Sequence, residues 1–176
     1  MDCLSPLKRL LLVPGLEPVK KQFEKYRAAY KQYAENKEPD SFSQNMILMG
    51  NPGSGKTTAA KLFAEILDED GLLPKSLFVE VSLITLISPY IGQTSLNTRA
   101  ICEKAKGGVL FIDDIEGRSV FHKEAFEGLL KFMINNDDTL VILAGHPEAI
   151  NELLNNSNLG IRRYFNELGI FEFEDC

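Results

Sequence analysis

Apolar residues follow two rhythms along this chain. Leu16, Val19, Phe23, Tyr26, Tyr30 and Tyr33 recur at three- and four-residue steps, which makes one stripe of an amphipathic helix over 16–33. Residues 35–43 are polar, contain Pro39, and read as a loop. From there the pattern alternates. A short apolar run at 46–49 leads into a glycine-rich turn and a helical stretch at 57–67, which Gly71 would end. Further short runs at 77–81, 109–112, 140–143 and 170–173 are separated by helical stretches at 94–106, 123–134 and 147–154, with a polar turn at 155–158. Runs that are continuously apolar predict strands buried on both faces. The expected fold is therefore α/β, a three-layer sandwich with a five-stranded parallel sheet and an N-terminal helix. No internal repeat or low-complexity tract is present.

Composition narrows the classes. The 176 residues suit one domain, read here as an N-terminal segment and helix (1–44) and a core (45–176). Hydrophobic content of 44% and charged content of 25% are ordinary for a soluble protein. No apolar run reaches the roughly 18 residues of a membrane span, and the run at 10–13 is too short for a signal-peptide core. A cytoplasmic, reducing location and no membrane partner are expected. Cys3, Cys102 and Cys176 lie far apart without metal-ligand spacing, and reduced thiols are the plain reading. A net charge of −6 argues against a nucleic-acid partner, because phosphate-backbone affinity rests on clustered Lys and Arg.

The chemistry concentrates after the first run. Gly50, Gly55, Lys56 and Thr57 meet the G-x-x-x-x-G-K-[ST] pattern between a strand and a helix, the context a phosphate loop requires. Glycines let the backbone curl so that the N–H groups of Asn51, Pro52-flanked Gly53, Ser54, Gly55, Lys56, Thr57 and Thr58 cradle phosphates at a helix N-terminus. Lys56 would reach the β- and γ-phosphates of ATP, and the Thr57 hydroxyl would ligate Mg²⁺. The run 109–112 ends in Asp113 and Asp114. A buried strand would deliver Asp113 beside the phosphate loop to hold Mg²⁺, with Asp114 where a water-activating acid stands.

These residues resemble the CbbX-type AAA+ ATPases, a group that includes red-type Rubisco activases and stage V sporulation protein K-like proteins. The resemblance runs from about Gly15 to Asp175. It rests on Gly15-Leu16-Glu17-Pro18-Val19-Lys20, on 50–57, on Tyr90-Ile91-Gly92-Gln93-Thr94, and on Gly107-Gly108-Val109-Leu110-Phe111-Ile112-Asp113. The stretches 141–145 and 158–165 extend it. It implies a P-loop NTPase fold, the large subdomain of an AAA+ protein, with the helical lid that usually follows absent. It also implies a hexameric ring of like or related AAA+ subunits acting on a protein client.

Residue by residue, the resemblance makes Val13, Gly15 and Leu16 the base-binding edge. It makes Tyr90, Ile91 and Gly92 the pore loop that grips a polypeptide, for which an aromatic ring on a glycine-bounded loop offers sequence-independent contact area. His146 falls at the sensor position that orients the attacking water. Arg162 matches the first of two arginines offered to a neighbouring subunit's nucleotide, while Arg163 stands one place early for the second and Tyr164 occupies its position. Relatives carry Glu where this chain has Asp114, one methylene shorter, and a shift of about that size can cost about 10²-fold in rate. Glu116 lies close by. The stretch from Asp114 to Lys123 is shorter than in relatives, which implies a reduced second pore loop. Two functions follow: an ATP-hydrolysing remodelling module, or a hydrolysis-impaired nucleotide-binding subunit that assembles with active relatives. A small nucleotide kinase is the weakest reading, since kinases lack the Tyr-Ile-Gly loop.

Overall fold

The structure is a computed structural model that describes residues 4–36, 42–116, 120–156 and 160–174, with the backbone alone at 120–122. Pro39, residues 117–119 of the stretch expected to be a short second pore loop, Ser157 and Asn158 of the polar turn, Asp175, and Cys3 and Cys176 lie outside the described residues.

Each apolar run is a strand: β1 (Met46–Met49), β2 (Phe78–Ser82), β3 (Val109–Ile115), β4 (Leu140–Gly145) and β5 (Ile170–Glu172). All pair in parallel in the order β2-β3-β4-β1-β5. The runs of β1, β4 and the first half of β3 are continuous in sequence because alternate residues enter different cores, whereas the edge strands β2 and β5 carry the exposed Glu80 and Glu172. Met46, Leu48, Val109, Phe111, Leu140 and Ile142 pack into one, while Ile47, Met49, Leu110, Ile112, Val141 and Leu143 pack into the other. The first core is covered by α1 (Pro6–Leu12), α2 (Glu17–Asn36) and α3 (Lys56–Glu69). The second is covered by α4 (Leu83–Leu86), α5 (Gln93–Ala105), α6 (Val120–Asn135) and α7 (Pro147–Asn155). This is the three-layer α/β sandwich that the runs predict.

The α2 stripe buries Val19, Phe23, Tyr26 and Tyr30. Phe23 stacks on Phe63 of α3 with ring centroids 4.0 Å apart, and the buried Tyr26 hydroxyl donates to the Gln44 carbonyl. Tyr33, at the end of the stripe, is only half-buried, against Phe42. From the same helix Gln22 donates to the carbonyls of Leu168 and Ile170 at 3.0 and 2.5 Å. Those contacts occupy acceptors on the outer edge of β5, which would otherwise invite strand addition.

The structure departs from the sequence pattern in three places. Helix α1 is not foreshadowed by any apolar stripe, although Ser5 caps it by accepting from the Lys8 amide at 3.3 Å and Pro6 opens it, a start signal with a physical basis. The single turn α4 has no sequence signal of its own either. Third, β3 does not stop at Ile112. It passes through both carboxylates to Ile115, and this matters for the site.

Candidate nucleotide site

In an open parallel sheet, ligands bind beyond the carboxyl ends of the strands. Here those ends belong to β1, β4 and β3, side by side. Leaving β1, the chain turns at Gly50, whose amide donates to the Gly145 carbonyl at 3.1 Å. Gly55 has φ +95°, a conformation that only glycine adopts freely, and caps α3 without offering a side chain to its first N–H groups. The loop closes through the Ser54 amide to the Asn51 carbonyl at 3.2 Å, with Ser54 buried. Open amides at a helix N-terminus are an anion site. Lys56 Nζ donates to the carbonyls of Gly50 and Asn51 at 2.6 and 2.9 Å, so its charge is held over the mouth of the loop. An open cleft of about 400 Å³ results, lined by Pro52, Gly53, Gly55, Lys56, Thr57 and Thr58 on one side and by Asp113, Asp114, Glu116 and His146 on the other. The donors suit phosphates.

Opposite the loop, the Thr57 hydroxyl donates to Asp113 Oδ2 at 3.4 Å. The other carboxylate oxygen, Oδ1, accepts from the Asp114 amide at 2.8 Å. One hydroxyl and one oriented carboxylate fit a hard divalent cation that completes its shell with water and phosphate oxygens. Such a cation would neutralise phosphate charge.

Beyond Asp113 the strand bulges. Ile112 pairs with Leu143 and Ile115 with Gly145, so that Asp113 and Asp114 together stand opposite Ala144. Asp114 takes up the extra length with φ +61°, a left-handed conformation in which Asp and Asn are enriched among residues other than glycine. The bulge needs room on β4. A Cβ on Gly145 would stand 2.3 Å from the Ile115 carbonyl oxygen, and His146 N–H donates to that same oxygen at 3.1 Å. His146 also caps α7, its Nδ1 accepting from the Glu148 amide at 3.3 Å. In the neutral ring this leaves the proton on Nε2 as the remaining donor.

On the other flank, Gly15 and Leu16 both have positive φ, and Leu16 Cδ1 lies 3.4 Å from where a Gly55 Cβ would be. Val13 ends α1 and packs half-buried on the first core. Sequence reasoning missed what holds this turn. Lys20, 5% exposed, donates to the carbonyls of Leu11 at 3.1 Å and Val13 at 2.5 Å and to Glu17 at 3.1 Å. A lysine beside Val19 on an apolar helix stripe was its visible signal.

Two groups of expected residues lie away from the cleft. Tyr90 and Ile91 are 75% and 105% exposed on the turn before α5. Gly92, with φ +79°, caps that helix. The turn is pinned from below: Ser88 N–H donates to the buried Thr94 hydroxyl at 2.9 Å, and Tyr90 N–H to the Ser88 hydroxyl at 3.2 Å. Arg162 and Arg163 sit in a 3₁₀ turn (Ile161–Tyr164) near the amino end of β1, the end of the sheet away from the cleft. The Tyr164 carbonyl accepts there from Ser43 and, at 3.3 Å, from Asn45, just before β1 begins. Arg162 donates to Asn155 at 3.4 Å, and Arg163 lines a polar groove with Gln44 and Asp137. Neither arginine is brought to this chain's phosphate loop.

Comparison with known proteins agrees with this layout. Residues 46–167 match the model of the ATPase family associated with various cellular activities (AAA). The chain is 38% identical over 164 residues to the ESX-1 secretion system protein EccA1 of Mycobacterium tuberculosis, covering 86% of this chain and 28% of that protein. It is 37% identical over 176 residues to the chromosomal protein CbxX of Cupriavidus necator, covering 91% of this chain and 53% of the relative. To protein CfxQ of Xanthobacter flavus it is 36% identical over 175 residues, 92% of this chain and 55% of the relative. The chain thus spans about half, or less, of the relatives it matches. No helix among the described residues is long and apolar enough to cross a membrane. With a strand, a phosphate loop and an acidic strand end arranged around one cleft and the family model matched across them, the chain belongs to the AAA ATPase family and is of its CbbX type.

Proposed function

We propose that this chain binds ATP with Mg²⁺ in the cleft between the phosphate loop and β3, hydrolyses it, and uses the cycle to move a polypeptide client through a ring of like subunits. The loop amides and Lys56 hold the phosphates. Thr57 and Asp113 would hold Mg²⁺, which when bound would supply charge neutralisation to the phosphates. His146 Nε2–H, its ring held by the Nδ1 contact to α7, orients the attacking water. Val13, Gly15 and Leu16 form an apolar edge for the base.

The observation that carries the remodelling part is the turn before α5. Two large apolar side chains stand almost fully in solvent on a turn that Ser88 and Thr94 hold rigid, which is costly unless something docks there. Arg162 and Arg163 support assembly. At the end of the sheet opposite the cleft, they serve a nucleotide only in a second chain, where an arginine can raise the rate by about 10³ or more.

The alternative, a subunit that holds ATP without hydrolysing it, is favoured by one observation: at position 114 the carboxylate is short and sits on a left-handed backbone. Equilibrium titration with ATP beside phosphate release, on the protein and on Lys56→Ala, separates the readings. Binding that weakens at least about 10-fold in Lys56→Ala, with steady phosphate release by the unmodified chain, supports hydrolysis. Binding without release leaves the holding subunit. Tyr90→Ala should abolish any stimulation of turnover by a reduced, alkylated test polypeptide, and unchanged stimulation removes the client-gripping role.

A further inference from the structure

We propose that Glu116, and not Asp114, is the carboxylate that activates the attacking water, a role that rests on the reading of this cleft as an ATP-hydrolysing site. In an unbroken strand, side chains alternate strictly, and one extra residue exchanges the faces beyond it. Along β3, Val109 and Phe111 enter the core under α1 to α3, Leu110 and Ile112 the other. Asp113 keeps the first parity, which is why it meets Thr57 on α3. Ile115 would follow it on that face. Instead Ile115 is 2% exposed in the second core, beside Ile112.

The bulge accounts for this switch. Asp113 and Asp114 occupy the space of one residue opposite Ala144, so the alternation restarts one position late and Glu116 falls on the face of Asp113. It is exposed there and lines the cleft with Lys56, Thr57, Asp113 and His146; Asp114 borders the same cleft. Glu is the residue type with the reach that Asp114 lacks. Asp114, in turn, serves through its backbone. Its amide orients Asp113 Oδ1, and its φ of +61° suits a short polar side chain better than a long one. The bulge therefore exchanges Ile115 for Glu116 on the face that Asp113 presents to the cleft.

In the step proposed, the water oxygen forms a bond to the γ-phosphorus as the bond from that phosphorus to the bridging oxygen breaks. The electron pair of the broken bond leaves on the β-phosphate of ADP. The water's proton passes to a Glu116 carboxylate oxygen and from there to the released phosphate or to solvent, which regenerates the carboxylate. His146 Nε2–H donates to the water or to a γ-phosphate oxygen throughout.

The test uses Glu116→Gln, which keeps the shape and removes the base, Glu116→Asp, and Asp114→Gly, which removes the other carboxylate while keeping the left-handed backbone open. Glu116→Gln is expected to lower kcat about 10²-fold with the ATP dissociation constant within about 3-fold of the parent. The nucleotide recovered from it after incubation should be ATP, where the parent yields ADP. Glu116→Asp should recover part of the rate, and Asp114→Gly should lose less than about a tenth of what Glu116→Gln loses. Asp114→Gly losing as much as or more than Glu116→Gln overturns the assignment while leaving hydrolysis in place. Absence of turnover in the parent, with ATP bound, overturns hydrolysis and the assignment together.

Discussion

Gly145→Ala is the most demanding test of the site's construction. The added methyl would lie 2.3 Å from the Ile115 carbonyl oxygen and 2.7 Å from Ile115 Cβ, about 1 Å inside ordinary contact distance. Nothing flexible can yield, because the first of these atoms is backbone. Relief requires β3 to withdraw beyond Ile112, which breaks the His146 N–H bond to Ile115 and the Ile115–Gly145 pairing. Overpacking of this kind costs about 1–3 kcal/mol, and the hydrogen bond adds about 1 kcal/mol, so a loss of about 2–4 kcal/mol is expected in urea unfolding. Gly108→Ala supplies the comparison. Its methyl would lie 2.4 Å from the Leu77 carbonyl at the other end of β3, with the same steric cost far from the cleft. Both variants should lose similar stability, but only Gly145→Ala should lose turnover, by about 10²-fold, at temperatures where both remain folded. Turnover falling equally in the two, or Gly145→Ala within about 0.5 kcal/mol of the parent, would refute the close approach of Ile115 and with it the bulge.

Three further outcomes are expected. Arg27 grips Asp70 at the end of α3 with two bonds of 2.6 and 2.7 Å, and this contact, more than the neighbouring Lys31, holds the Asp70 carboxyl below its ordinary value. A depressed folded-state pKa contributes stability that is complete above the unfolded value, about pH 4, and is lost as pH falls through the lowered one. Asp70→Asn should therefore cost about 1–3 kcal/mol at neutral pH and remove part of the fall in urea midpoint below about pH 4. An unchanged acid limb would exclude the pair. Lys20→Met leaves the Leu11 and Val13 carbonyls without their donor, and should cost about 1–3 kcal/mol and weaken ATP binding several-fold by freeing the Leu16 turn; unaltered affinity would detach that turn from the base site. With the arginines at the end of the sheet opposite the cleft, kcat per chain should rise with protein concentration and lose that rise in Arg162→Ala, and a rate per chain independent of concentration would remove the in-trans role.

Much of the fold was legible because both faces of the sheet are buried. Two buried faces turn β1, β4 and the first half of β3 into unbroken apolar runs such as Met46-Ile47-Leu48-Met49, and the helices between announce themselves by length. Phosphate-loop chemistry was legible for a different reason: glycine, lysine and threonine at fixed spacing have few other uses. Helix α1 was harder to see, since seven residues carry almost two turns and no stripe can be read from Pro6 to Leu12. The cap at Ser5 was the available sign. Glu116 stands close to the acidic pair in sequence, but its direction depends on a bulge that no local pattern announces. Asp113-Asp114 reads as a strand end when taken alone. What marks it as a bulge lies thirty residues away, in the absence of a side chain at Gly145. Lys20 had the opposite difficulty, being visible as a lysine on an apolar stripe but intelligible only once the carbonyls of Leu11 and Val13 had been folded back against it.

Asp114, Gly145 and Glu116 are best understood as one solution. In the CbbX-type pattern that this chain resembles, a long acid directly follows the metal-binding aspartate. Here Asp113 and Asp114 together stand opposite Ala144, one residue more on β3 than on β4. A long side chain at 114 would sit on a left-handed backbone, at a steric cost of about 1–2 kcal/mol that only glycine avoids and that Asp and Asn bear best. A regular continuation would bring Ile115 toward the phosphates. With the bulge, Ile115 returns to the core, where it fills space beside Ile112 and Leu143, and the next residue inherits the cleft. That residue is a glutamate. Restoring Glu at 114 alone would therefore leave two long carboxylates beside the same phosphates and a strained turn beneath one of them, which is a reason to expect Asp114→Glu to lower turnover rather than raise it.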